Sequence, residues 1–243
     1  VKFHSAFYRE AGNVMKLIFN VLEKSAEKLI EVEIDRLVIA GWTGRDRDAV
    51  MHHIRELEAL GVPQPSAIPL FYRVATNQLT QSSLVEVVGN ASSGEAEPLI
   101  FSYHGELYVS LASDHTDRQL EAQNVALSKQ LCAKPVAREA WPLREVMAHW
   151  DSLILRSWIV EDGEYRLYQE GTLASLQPPM ALLQRYLAPD VPMLADGLAM
   201  SCGTMTAIGG IRPATEFRMA LVDEHLGRTI SHSYSSVLLP VVA

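Results

Sequence analysis

The sequence predicts an α+β fold that is mainly β. Three observations carry this expectation. Short apolar segments with strand-like alternation recur along the chain, separated by turns rich in Gly, Asn and Asp. Stretches with helical spacing are few and short. Strands and helices do not alternate regularly, which argues against a doubly wound parallel sheet. A chain of 243 residues buries a core without disulfide staples.

The elements follow in order. Met15-Lys16-Leu17-Ile18-Phe19 reads like a natural start running into a strand, so residues 1–14 read as an upstream extension or cloning remnant. Strands are expected over 16–21 and 29–40, with the turn in the polar residues 23–28. Gly41-Trp42-Thr43-Gly44 follows, and Thr43 or Asp46 is placed to cap a helix over about 46–60. Ala49, Val50, His53, Leu57 and Leu60 recur at helical spacing, and Gly61 stops the helix. Val62 to Pro69 is a proline-fixed connector into the strand Leu70–Val74. Strands over 84–88, 95–101 and 106–112 are separated by Gly89-Asn90, Gly94 and His104-Gly105. Residues 115–130 carry one helical pattern. A strand pair over 152–168 turns at Asp162-Gly163. Pro178–Leu187 reads as a helix with Pro179 in its first turn. Residues 197–242 return to strands around a glycine-rich loop, Gly203–Gly210. No linker divides the chain. Residues 15–80 form an N-terminal strand and lid region, and 81–243 the main β body, in one compact unit.

Composition narrows the function. The net charge of −8 argues against a broad nucleic-acid surface and against adsorption to anionic membranes. No apolar run approaches the length of a bilayer span, and no signal-peptide pattern opens the chain. Two cysteines, Cys132 and Cys202, are too few for a disulfide framework or a Cys-based zinc site and fit a reducing cytoplasm. Nucleotide-binding glycine motifs, G-x-S-x-G and H-E-x-x-H are all missing.

Four segments carry chemistry. On a strand, Glu95 and Glu97 share a face, and two converging carboxylates repel unless a cation or a shared proton lies between them. Hard divalent cations suit such oxygen ligands. A hairpin edge with two solvated glutamates has the same pattern. Ser113-Asp114-His115-Thr116-Asp117-Arg118 follows an apolar strand; Asp114 is a candidate third ligand and Arg118 a candidate carboxylate clamp. Asp114 or Thr116 acting as a helix cap is the alternative. Lys134, in an apolar stretch, is either a surface lysine or a charge that neutralises an enolate. Gly203-Thr204 exposes backbone amides and a hydroxyl suited to an anionic group.

Taken in order, these segments resemble the fumarylacetoacetate hydrolase superfamily over roughly 42–240. Glu95-Ala96-Glu97 resembles its Glu-x-Glu metal pair. Asp114-His115-Thr116-Asp117-Arg118 resembles its Asp-x-(Ser/Thr)-x-Arg segment. Lys134 falls about where that family carries its site lysine. Tyr168-Gln169-Glu170-Gly171-Thr172 resembles its Arg-Gln-(Asp)-Gly-Asn-Thr run, and Gly203-Thr204 its Gly-Thr loop, whose Thr binds substrate. Pro65-x-x-x-Pro69-Leu70-Phe71 resembles its proline-rich access strand. The resemblance implies a mixed β-roll, Mg²⁺ or Mn²⁺ on Glu95, Glu97 and Asp114, a homodimer, and a small oxo acid as substrate. It implies an uncharacterised prokaryotic branch, because the departures are several. Glu97 and Asp114 are 17 residues apart, where the family has near thirty. Glu121 stands where a glutamine is common. His53 and Glu56 have the spacing of the family's lid dyad, His as base and Glu as its orienter, and also that of a surface helix pair.

Three readings follow. One is C–C hydrolysis of an acylpyruvate-like acid, with Lys134, His53 and Glu56 catalytic, and Arg118, Gly203, Thr204, Gln169 and Glu121 on the substrate. The second is a dehydratase or decarboxylase acting on a 2-oxo sugar acid or oxaloacetate-like acid. The third is a non-catalytic binding module on the same fold.

Overall fold

In chain order the strands and helices begin β1 (Met15–Glu23), β2 (Ala26–Ile34), β3 (Arg36–Gly41), α1 (Arg47–Ala59) and β4 (Leu70–Val74). The middle of the chain holds β5 (Leu79–Thr80), β6 (Leu84–Val88), β7 (Ser92–Ser93), β8 (Ala96–Tyr103), β9 (Glu106–Ser113) and β10 (Thr116–Asp117). It continues with α2 (Arg118–Glu121), α3 (Val125–Leu131), β11 (Lys134–Pro135), β12 (Glu139–Pro142) and α4 (Leu143–Val146). The last part holds β13 (Ile154–Glu161), β14 (Glu164–Thr172), α5 (Pro179–Tyr186), β15 (Leu198–Ser201), β16 (Glu216–Asp223) and β17 (Arg228–Leu239). This computed structural model describes residues 13–24, 26–59, 64–187 and 195–242, without the side chains of residues 53, 56, 57 and 59.

An eight-stranded mixed sheet runs β2-β1-β12-β9-β8-β15-β3-β4, and a five-stranded one β14-β13-β16-β17-β6. Strands β2 and β3 are separated only by Asp35, yet they occupy the first and seventh places of the larger sheet. Two such places meet only if the sheet rolls nearly shut. The single strand expected over 29–40 therefore breaks at Asp35, where the chain passes across the seam. Rolling gives the sheet a core of its own. Phe19 on β1 stacks on Phe101 of β8 at 4.3 Å between ring centroids, although two strands lie between them in the sheet. Leu17, Val32, Ile39 and Leu99 share this inner core. The alternate residues of the same strands, Val38, Ala40, Ile100 and Leu111, face outward into a second core shared with Leu155, Met219 and Leu221 of the smaller sheet. A strand buried on both faces reads as a near-continuous apolar run, as residues 37–40 do. The fold is α+β and mainly β, with short helices, as the sequence predicts.

The helix expected over 115–130 divides. Asp117 Oδ1 accepts from Leu120 N at 2.8 Å and starts α2, and Asn124 Oδ1 accepts from Leu127 N at 3.0 Å and starts α3. Two N-caps seven residues apart outweigh the continuous periodicity. The β8–β9 hairpin closes through His104-Gly105, both at positive φ (51° and 76°), as a two-residue hairpin turn requires. This hairpin positions the site.

Candidate metal centre

Register places the carboxylates. In the β8–β9 ladder Ala96 pairs with Ser113 and Glu97 with Ala112. One step beyond, Asp114 N donates to Glu95 O at 2.9 Å, so Glu95 and Asp114 face each other across the hairpin end. Residues two apart share a face, so Glu95, Glu97 and Asp114 project together. One carboxylate oxygen from each lies within 4.8 Å of the others. Glu97 and Asp114 are buried, and the Glu95 side chain is 15% exposed. The separation of 17 residues is thus met by two eight-residue strands and a tight turn.

Their electrostatics divides the three. Burial pushes the Glu97 carboxyl well above the usual carboxylate range, and the neighbouring Asp114 pushes it further. Burial also raises Glu95, against the pull of Arg118. Burial acts on Asp114 in the same direction, but Lys129 and Lys134 outweigh it and hold that carboxyl down to about 2. Three converging buried carboxylates, all oxygen donors, suit a hard divalent cation such as Mg²⁺ or Mn²⁺, and a cation among them removes their mutual repulsion. These residues fit the metal that the sequence implies.

Lys134 is fully buried, 3.2 Å from Asp114 Oδ1, and donates to His115 O at 2.5 Å. Lys129, not singled out from the sequence, contacts Asp114 Oδ2. Its only local signal is a lysine within an apolar helix turn after the Asn124 cap. That turn faces inward: Ser128 and Lys129 are the buried residues of α3. The ammonium lies 5.7 Å from the centroid of the Tyr72 ring.

Arg118 is engaged by the protein. Its Nη1 lies 2.8 Å from Glu121 and 3.3 Å from Glu95, and its Nε donates to Ser93 Oγ at 2.8 Å. Gln169, also buried, donates to Thr204 Oγ1 and Met205 O (both 2.7 Å) and accepts from Ala96 N and Ser157 Oγ, so its amide braces the strand and loop around the site. Thr204 donates to Ala96 O at 2.7 Å. Gly203 N donates to Glu97 Oε2 at 3.2 Å. Gly203 sits at φ +96°, and a Cβ there would collide with Thr43 Oγ1, so the loop closes over Glu97 only with glycine. Residues 43 and 203–204 therefore meet beside the cluster. His53 and Glu56 lie on α1, but their side chains are outside the described residues.

Sequence reading also missed a buried chain behind Glu95. Ser113 Oγ accepts from Glu95 N at 3.2 Å and lies 2.8 Å from Tyr234 Oη, which is 2.8 Å from His115 Nδ1. His115 is 1% exposed, and burial, aided by Lys134 and Arg118, lowers its pKa to about 3, so the ring is neutral. A cavity of about 230 Å³ bounded by Asn90, Val160, Pro213 and Leu238 includes none of the cluster residues. Cys132 and Cys202 are buried free thiols, both raised by burial.

The family described as protein of unknown function (DUF2848) matches residues 40–234. No protein of curated function matches the sequence. Among solved structures, a 2-keto-3-deoxyarabinonate dehydratase superposes with a TM-score of 0.60 at 14% identity, over 86% of this chain and 74% of that one. The 2-keto-3-deoxy-D-arabinonate dehydratase complexed with magnesium and 2,5-dioxopentanoate gives 0.57 at 14%, over 88% and 77%. The 4-oxalocrotonate decarboxylase from Pseudomonas putida G7, complexed with calcium and acetate, gives 0.51 at 17%, over 82% and 76%. At these identities the likeness establishes the fold.

Proposed function

This chain belongs to the DUF2848 family, and on that premise we propose that it is a divalent-metal-dependent lyase of a small 2-oxo acid. The carrying observation is the convergence of Glu95, Glu97 and Asp114 within 4.8 Å, backed by two lysines. Glu95, Glu97 and Asp114 would hold Mg²⁺ or Mn²⁺, which supplies Lewis acidity toward the carboxylate and 2-oxo oxygens of the acid. Lys129 and Lys134 place fixed positive charge beside the negative charge that develops on the 2-oxo oxygen. Gly203 holds Glu97 and Gln169 holds Thr204, which would contact the acid. The magnesium- and calcium-bound neighbours, a dehydratase and a decarboxylase, support this reading.

Elimination or decarboxylation needs no activated water at the cluster. Hydrolysis does, and the neighbouring His115, buried and held by Tyr234, is unsuited to be its base. Hydrolysis of an acylpyruvate is the second reading. It is favoured by the helix over 47–59, which carries His53 and Glu56 three apart, on one face. A homodimer belongs to the same proposal: the outer strand pair exposes Leu84, Val88, Val237 and Leu238, apolar surface that a second copy would cover. A reducing cytoplasm fits the two free thiols, and no described helix is long and apolar enough to cross a membrane.

The test is Mg²⁺-dependent turnover on acylpyruvates, oxaloacetate and 2-oxo-3-deoxy acids, with product analysis separating water loss, CO₂ loss and C–C hydrolysis. Glu97→Ala abolishes it while the protein stays folded. Full activity in that variant overturns the metal assignment, and binding of metal and acid without turnover by the wild type supports a non-catalytic module instead.

A further inference from the structure

Glu121 is the outermost charge of the cluster. Its side chain is 27% exposed, against 11% for Arg118 and 15% for Glu95. It lies one turn after Arg118 on α2 and holds the guanidinium Nη1 at 2.8 Å. Across the cluster, the Tyr72 ring stands over Lys129 Nζ. Burial raises the Tyr72 hydroxyl above its ordinary value, so it keeps its proton and can donate.

The charges around the cluster can be counted. Four carboxylates, on Glu95, Glu97, Asp114 and Glu121, face three cations, on Arg118, Lys129 and Lys134. With all four carboxylates ionised, the state in which they would hold a cation, the side chains carry one net negative charge. With a divalent ion the balance becomes one positive charge, which matches one substrate carboxylate. Among the described cations touching the cluster, none is left for a second substrate carboxylate. Each of the three cations touching the cluster already holds a protein carboxylate, and the exposed charge at its edge is negative. What the edge offers instead is hydroxyl recognition, an acceptor on Glu121 and a donor on Tyr72.

We propose that Glu121, by neutralising Arg118 and presenting its own negative charge, restricts the site to monocarboxylic 2-oxo acids whose tail carries hydroxyl groups. Dicarboxylic oxo acids are rejected by repulsion from Glu121 and because, among the described residues, every cation touching the cluster already holds a carboxylate. This rests on the 2-oxo acid reading above and narrows it to a polyhydroxylated substrate class. Glu121 and Tyr72 are its specificity-determining residues. Discrimination of this kind comes from a repulsive element built against the wrong ligand as much as from contacts to the right one.

The experiment is calorimetric titration of the Mg²⁺-loaded full chain with a 2-oxo-3-deoxy sugar acid, and separately with oxaloacetate and 2-oxoglutarate. It is run on the wild type and on Glu121→Gln, with Mg²⁺ binding measured first in each. The wild type binds the hydroxylated monoacid roughly a hundredfold more tightly than either diacid, the scale that one like-charge contact sustains. In Glu121→Gln, Arg118 Nη1 is released toward the tail of the ligand. Diacid affinity then rises by about tenfold or more, monoacid affinity falls, and the preference collapses. Mg²⁺ still saturates the variant, which shows that the carboxylate cluster is intact. Equal binding of monoacid and diacid by the wild type, or a preference unchanged by Glu121→Gln, overturns the proposal. Mg²⁺ binding with no affinity for any oxo acid overturns the 2-oxo acid reading itself, a result distinct from the other two.

Discussion

Lys129→Met separates the lysine's contribution to folding from its effect on the metal. Asp114 is fully buried, with Lys129 on one oxygen and Lys134 3.2 Å from the other. Its carboxyl is held at about 2 against an ordinary 3.8. At 1.36 kcal/mol per pH unit, that lowering amounts to about 2 kcal/mol of stability from the ionised form. Burial pushes the other way, so the two lysines supply more than this net figure. Removing one partner of a buried pair commonly costs about 3–5 kcal/mol, and the remaining Lys134 puts the expected loss in the metal-free protein nearer 2–3 kcal/mol. A divalent ion among the carboxylates takes over much of the lysine's electrostatic role, so the loss shrinks in saturating Mg²⁺. The thermodynamic cycle then requires tighter Mg²⁺ binding in the variant, about tenfold for each 1.4 kcal/mol by which the two losses differ. Urea unfolding with EDTA and with Mg²⁺, together with Mg²⁺ titration calorimetry, measures every leg. The pH dependence has a fixed sign. The folded pKa of Asp114 is depressed, so in the metal-free wild type its contribution is present above about pH 4 and is lost as pH falls toward about 2. The variant loses less across that window. Equal destabilisation with and without Mg²⁺, or weaker Mg²⁺ binding, would refute the electrostatic account of Lys129.

Because burial and Asp114 raise Glu97, a proton competes for it in the metal-free protein; Mg²⁺ affinity therefore falls as pH is lowered from neutral, by at most about tenfold per unit for each proton displaced. Calorimetry in buffers of different ionisation enthalpy detects the released proton, and flat affinity from pH 7.5 to 5.5 contradicts the raised carboxyl. Tyr234→Phe breaks the bridge from Ser113 to His115 and leaves buried polar atoms without partners. A loss of about 1–3 kcal/mol is expected in urea unfolding. At the far side of the fold, Arg228 pairs with Glu145 at 2.7 Å and with buried Asp223 at 3.3 Å, and lies over the Trp141 ring. Arg228→Leu should cost about 3 kcal/mol or more of stability and leave Mg²⁺ affinity unchanged within error.

The carboxylate cluster was legible because its signal is local. Glu95 and Glu97 share a face through the period of a strand, and Asp114 follows the next strand directly. The rolled sheet was less legible, because its proof is that β2 and β3, joined through Asp35, occupy remote places in one sheet, which no local pattern records. Lys129 was hidden for a related reason. The apolar spacing over 115–130 is continuous, and in a single helix Lys129 would be one more polar position. Only the separate capping by Asp117 and Asn124 turns α3 so that Ser128 and Lys129 point inward. Lys134 was visible because a lysine between Ala133 and Pro135 is conspicuous. Gln169 was visible as part of a motif, but its bracing of Thr204 depends on a contact 35 residues away.

The short separation between Glu97 and Asp114 bears most directly on how far the site tolerates change in sequence. In an antiparallel hairpin, a residue added to one strand beyond a given pair is matched by one on the other, and every pair nearer the open end keeps its partner and its face. Glu95 opposite Asp114, with Glu97 one pair inward, is therefore independent of where the hairpin closes. An arm of only eight-residue strands and the His104-Gly105 turn removes nothing from the carboxylate cluster. A single residue inserted within β8 or β9 would act differently. It would slip the register by one, send Glu97 to the opposite face from Asp114, and leave one buried carboxylate in an apolar layer. Insertions at the turn and in the strand thus have opposite consequences for Mg²⁺ binding, although they lie only a few residues apart in the chain. The carboxylates are fixed by ladder parity, not by loop length, and for that reason the length of the hairpin arm can change while their arrangement remains.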